Sequence, residues 1–110
     1  MIGSIVTVTV DRPLGSVHPK HKSIVYSVNY GYIEGIIAPD GEELDAYILG
    51  VNEPVKEFTG RVIAVIIREN DVENKLVVAP DGMSFTKEEI EAMTFFQEQY
   101  FKTKIVMDRL

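Results

Sequence analysis

The 110-residue sequence has no cysteine and no tryptophan. Without cysteine there is no disulfide framework, no thiol nucleophile and no zinc site built on thiolates. Long apolar runs are also missing. The longest, residues 62–67, is far too short to cross a bilayer as a helix. No basic segment precedes an apolar stretch at the N-terminus, so no signal peptide is read there, and the cytoplasm is the expected location. Bases are the minority, 11 against 17 acids, for a net charge of −6. Such a surface repels phosphate backbones. With no tryptophan to stack on bases, nucleic acid is not an expected partner. A chain of this length makes one domain, residues 1–110, and can bury a modest core without staples.

The charges that are present are segregated. Residues 12–22 hold Arg12, His18, Lys20, His21 and Lys22 with no acid. Residues 40–45 hold Asp40, Glu42, Glu43 and Asp45 with no base. One segment suits anions and the other cations, although both patterns also fit solvated loops.

Periodicity indicates strands over most of the chain. Val6, Val8 and Val10 alternate with Thr7 and Thr9, a period of two built from β-branched residues. Pro13, Gly15 and Pro19 then break the pattern and predict a loop over residues 11–23, long enough to suggest function. Further strands are expected over residues 30–37, 44–49, 61–67 and 75–79. The segments 24–26 and 105–107 are shorter candidates. Gly31 and Gly35 inside one strand suggest a bulge or the close approach of another backbone. Residues 51–60 are expected as a connector and residues 69–74 as a polar hairpin turn. One helix is expected from Thr86, where Thr86 and Glu89 form a capping box. Ile90, Met93, Phe96 or Gln97, and Tyr100 follow at helical spacing. Lys102 and Lys104 are expected near its C-terminal end, where the helix dipole favours cations. Several short strands and one helix predict a mainly β fold, a small closed or partly open, OB-like barrel with a C-terminal helix.

Three groups of residues could carry chemistry. Asp40, Glu42 and Asp45 gather hard oxygen ligands at a turn and the start of the next strand, which suits Mg²⁺ or Mn²⁺. Tyr26, Tyr30 and Tyr32 share one face if their segment is extended. Their hydroxyls could bond phosphoryl oxygens or simply cap a packed core. His18 and His21 could serve as metal ligands, as phosphate donors or as solvated surface groups.

The stretch Tyr26-Ser27-Val28-Asn29-Tyr30-Gly31-Tyr32, followed by Asp40-Gly41-Glu42-Glu43-Leu44-Asp45, resembles the signature region of the soluble family I inorganic pyrophosphatases. That family carries a tyrosine-proline-x-asparagine-tyrosine-glycine stretch, then an aspartate-glycine-aspartate-proline-x-aspartate motif at the same distance. The close match covers about 20 residues, the two motifs and the spacing between them. The resemblance implies a small barrel with a C-terminal helix and metal-dependent hydrolysis of pyrophosphate, or of another small phosphoanhydride, by a metal-activated water. It also implies a homo-oligomer.

By position, the resemblance makes Asp40, Glu42 and Asp45 metal ligands, joined by Asp71 and Glu73 from the hairpin turn. Glu42 and Asp45 become the catalytic candidates, Glu42 standing where the family has its base toward the nucleophilic water. Lys75 matches a phosphate-binding lysine and Tyr30 a phosphate-side tyrosine. Tyr100 and Lys102 resemble a tyrosine-lysine pair, displaced by one residue. Between the first strand and the tyrosine motif the family has a longer segment that lines the site with a glutamate, a lysine and an arginine. Here the basic loop is the candidate substitute, with Arg12, Lys20 or Lys22 reaching phosphate. Glu42 replaces an aspartate, and Ser27 and Glu43 replace prolines. The alternative implied by these departures is a catalytically reduced barrel that binds metal or a small phosphorylated ligand.

Overall fold

The alternating valines make the first strand, β1 (Ile5–Arg12), in the computed structural model, which describes residues 1–69 and 73–107. The chain continues through β2 (Asn29–Ile37), β3 (Glu43–Ile48), β4 (Glu57–Arg68) and β5 (Asn74–Ala79), then α1 (Lys87–Glu98) and β6 (Thr103–Val106). Hydrogen-bonded neighbours run β1-β2-β3-β5-β4, and β4 also pairs with β1. Five strands therefore close a barrel, which removes their open edges. The small β-barrel with one C-terminal helix is the architecture read from the sequence pattern.

β4 begins four residues before the expected strand start at Arg61. Glu57 lies opposite Thr9 and Arg61 opposite Ile5, so long-range pairing with β1 makes a strand of polar residues that carry little local signal. The second half of β4 pairs instead with β6, Val65 opposite Val106.

Two apolar clusters divide the faces of the barrel. Val8, Ile33, Ala46, Ile48, Val62, Leu76 and Val78 come from all five barrel strands and fill its interior. Tyr30, Tyr47, Ala64, Ile66 and Val77 form the second cluster with Ile90, and Met93 and Phe96 of α1 pack against it on the outside. A register shift between Val62 and Ala64 moves β4 from one cluster to the other. Both glycines singled out in β2 have the predicted roles. A Cβ on Gly31 would lie 1.9 Å from the Thr9 carbonyl oxygen. Gly35 has φ +84° within the register shift between Ile33 and Ile37.

The capping box is present. Thr86 Oγ1 accepts from the Glu89 N–H at 3.1 Å, and the Glu89 carboxylate accepts from the Thr86 N–H at 2.9 Å. The helix stops sooner than expected, because Phe101 N–H bonds back to the Glu98 carbonyl and turns the chain toward β6. Tyr100 and Lys102 therefore lie beyond the helix and Lys104 lies in β6, leaving no base in the last helical turn. Among the described residues no helix is long and apolar enough to cross a membrane.

Candidate active site

Strand register places the first three side chains. β3 and β5 run parallel with Ala46 beside Leu76, so Asp45 and Lys75, one step earlier on each, stand side by side on the outer face. Lys75 Nζ donates to Asp45 Oδ2 at 2.9 Å and to Glu73 Oε2 at 2.5 Å. The Tyr30 hydroxyl donates to the same Asp45 oxygen at 2.6 Å. Tyr30 is buried, and that burial, followed by the charge of Asp45, pushes its pKa well above the ordinary phenol value. It is a proton donor at neutral pH.

These residues line a cavity of about 580 Å³. The other walls come from Arg12 at the end of β1, from His18, His21, Ser23 and Ile24 of the loop, from Arg68 at the end of β4, and from Gln97, Tyr100 and Phe101 near the end of α1. A buried hydrogen-bond chain ties the walls together. Arg12 Nη1 donates to the Tyr26 hydroxyl at 2.7 Å, and Tyr26 donates to Gln97 Oε1 at 2.6 Å. Gln97 Nε2 donates to the Tyr47 hydroxyl at 2.8 Å, and Tyr47 donates to Glu98 Oε2 at 2.5 Å. Glu98 accepts both Nε and Nη2 of Arg68, and Arg68 Nη1 reaches Glu73 at 3.4 Å. Burial favours the neutral form of Arg68, but the bonds to Glu98 and its charge outweigh this and raise the pKa of the guanidinium.

A smaller recess of about 200 Å³ adjoins the cavity. Asp45, Glu73 and Lys75 belong to both spaces, and Asp40, Glu42 and Glu43 line only the recess. The backbone N–H of Glu42 donates to Asp40 Oδ1 at 3.0 Å. That bond, and then a hydrogen bond with the Glu73 carboxyl, hold the pKa of Asp40 below its ordinary value.

The expected site residues divide accordingly. Tyr30, Lys75, Tyr100, Arg12, Asp45 and Glu73 line the cavity. Asp40 and Glu42 stand next door in the recess with Asp45 and Glu73. Lys20 and Lys102 line neither. Lys20 is exposed, and Lys102 lies 3.7 Å from Glu69 with its side chain 79% exposed. Asp71 lies outside the described residues. Tyr26 and Tyr30 join one aromatic cluster, their rings 5.4 Å apart. A bend at residues 27–28 separates Tyr26 from β2, and Tyr32 is not part of that cluster.

Arg68, Glu98 and Phe101 were not singled out from the sequence, and Gln97 was named only as a position at helical spacing. Arg68 ends the most apolar strand, and Gln97 follows Ile90 and Thr94 along the buried face of α1. A polar residue in such a position was the available signal.

The donor chemistry fits a divalent ion. Five carboxylates, Asp40, Glu42, Glu43, Asp45 and Glu73, line one recess with a single ammonium among them. Among the described residues, no three His, Asp or Glu side chains converge as a ready ligand set. Lys75 bridges two of these acids.

Comparison with known proteins bears on the fold. The chain superposes on an inorganic pyrophosphatase from Ehrlichia chaffeensis with a TM-score of 0.73 and 16% identity, covering 97% of this chain and 88% of that one. It superposes on an inorganic pyrophosphatase from Neisseria gonorrhoeae with a TM-score of 0.64 and 22% identity, covering 89% and 74%. For the enzyme from Thermus thermophilus the TM-score is 0.62, with 18% identity over 96% and 83%. The chain has the pyrophosphatase fold. No protein-family model matches the sequence, and no curated protein sequence matches it.

Proposed function

We propose that this chain hydrolyses inorganic pyrophosphate to two phosphates. The observation that carries this reading is the shared wall. A pocket with arginine, lysine, tyrosine and histidine donors abuts a recess of carboxylates, and Asp45, Glu73 and Lys75 belong to both. A phosphoanhydride in the pocket would bring its oxygens to the edge of the acidic recess. Asp40, Glu42, Asp45 and Glu73 are the residues that would hold Mg²⁺ or Mn²⁺, with Asp71 of the turn as a further candidate. The metal would neutralise phosphoryl charge and lower the pKa of bound water.

The chain's own groups have separate tasks. Lys75 binds a phosphoryl oxygen by exchanging a carboxylate partner for it, and Tyr30 adds an uncharged donor beside it. Arg12, fixed by Tyr26, adds positive charge on the opposite side, and Tyr100 closes the rim. Asp45 and Glu42 are the acids that would take a proton from the attacking water. The Arg68–Glu98 fork holds Glu73 in line.

A second reading, binding of metal or a phosphorylated ligand without turnover, is favoured by the lack of a converged three-ligand set among the described residues. One experiment separates the two. Phosphate release from pyrophosphate is measured with and without Mg²⁺ or Mn²⁺. Metal-dependent turnover supports hydrolysis. Absence of turnover together with calorimetric metal binding supports the second reading.

A further inference from the structure

The loop before β2 is built in a way that the proposed reaction does not yet use. Its two arms bond to each other, with Gly15 N–H to the Tyr26 carbonyl, Tyr26 N–H to the Ser16 carbonyl and His18 N–H to the Ile24 carbonyl. Val17 bridges Val25 across the same arms. Its tip carries two lysines and two histidines. His18 and His21 line the cavity, whereas Lys20 and Lys22 do not.

The His18 ring is fixed in position. Its Nδ1 accepts the N–H of Lys20 at 3.0 Å and the N–H of His21 at 3.2 Å. An Nδ1 that accepts carries no proton, so the neutral ring keeps its N–H at Nε2. The ring also stacks on Tyr26 at 6.2 Å between centroids and 13° between planes, and the ring of His21 lies 4.9 Å away. Tyr26 in turn lies 5.4 Å from Tyr30, which donates to Asp45 beside Lys75. The histidines and Lys75 thus mark opposite ends of one row of rings.

We propose that His18 and His21 form a second phosphoryl subsite, facing the Lys75–Tyr30 end, so that the cavity grips a diphosphate by both phosphoryl groups. This rests on the reading of the cavity as a pyrophosphate site. The His18 Nε2 donor adds to the charge of Arg12, whose guanidinium is fixed on the Tyr26 hydroxyl at the same end.

The test is calorimetric binding of methylenediphosphonate, a non-hydrolysable diphosphate, and of inorganic phosphate, each with and without Mg²⁺. His18→Asn keeps an acceptor where Nδ1 stood but removes the Nε2 donor. His21→Ala alters an exposed side chain. Each should weaken diphosphonate binding about tenfold and leave phosphate within about twofold, while Lys75→Ala weakens both. Unchanged diphosphonate binding in both histidine variants, with loss in Lys75→Ala, overturns the subsite and leaves the cavity reading intact. Equal loss of both anions overturns it too. So does normal binding by His18→Asn where His18→Ala fails, since only loop order would then be at stake. If the unsubstituted chain binds neither anion, the cavity reading and the subsite fall together.

Discussion

Arg68 and Glu98 meet as a two-bond fork, Nε to Oε1 at 3.0 Å and Nη2 to Oε2 at 2.7 Å, with both side chains nearly excluded from solvent. The fork ties the end of β4 to the end of α1. Glu98→Gln removes the charge that compensates a buried guanidinium. Glu73 at 3.4 Å and the Phe101 ring at 3.7 Å remain beside Arg68. The loss in stability is expected near the lower end of the about 3–5 kcal/mol that breaking a buried pair costs. Replacing both partners with apolar residues should cost less than either single change. Urea unfolding of the single and double variants decides the matter, and additive losses would contradict a paired role.

Gly31→Ala tests the close passage of β1 over β2. The new methyl would meet backbone atoms of Thr9 and Val10, which cannot swing aside as a flexible side chain can. The expected loss is at the upper end of the about 1–3 kcal/mol typical of overpacking. Thermal unfolding should show it directly. A variant as stable as the parent would mean that the two strands separate easily.

How much of this was legible in the sequence depended on how local each cause is. The Val6–Val10 alternation, the Thr86–Glu89 box and the two faces of β3 are local signals, and each became the element expected. The start of β4 was not legible, because Glu57 and Thr59 become strand only through β1 on the far side of the barrel. The helix end was overestimated because Tyr100 continues the apolar spacing, although a turn at Phe101 ends the helix at Glu98. In the candidate site, the pairing of Asp45 with Lys75 follows from a parallel register that no single segment encodes. Arg68 and Glu98 were missed for the same reason, since each looks like an ordinary charge until its partner arrives.

Asp40→Asn and Asp45→Asn separate chemistry from folding. Asp40 is exposed at a turn, so its variant should unfold like the parent. Asp45 accepts from both Lys75 and Tyr30, so its variant should also lose stability as the buried ammonium keeps only Glu73. Both should lower metal-dependent phosphate release by at least about tenfold. Full activity in both would remove the carboxylate recess from the reaction. Stability loss in Asp45→Asn without activity loss would leave it a structural partner of Lys75.

The buried tyrosines predict an alkaline limit to stability. Burial, then the charges of Asp45 and of Glu98 respectively, push Tyr30 and Tyr47 well above the ordinary phenol pKa. Tyr26 is also raised by burial, against the opposing hydrogen bond from Arg12. Below the unfolded-state value of about 10, all three are protonated in both states and cost nothing. Above it the unfolded chain releases protons that the folded chain retains, so the unfolded state binds fewer protons and stability falls as pH rises. Urea unfolding at about pH 9 and about pH 11 should show that fall. Tyr47→Phe removes one of the shifted groups, so its stability should decline less steeply than that of the parent over the same interval. The comparison also cancels the lysines, which titrate nearby in both proteins. Equal slopes in parent and variant would mean that the Tyr47 hydroxyl ionises freely and is not sealed between Gln97 and Glu98.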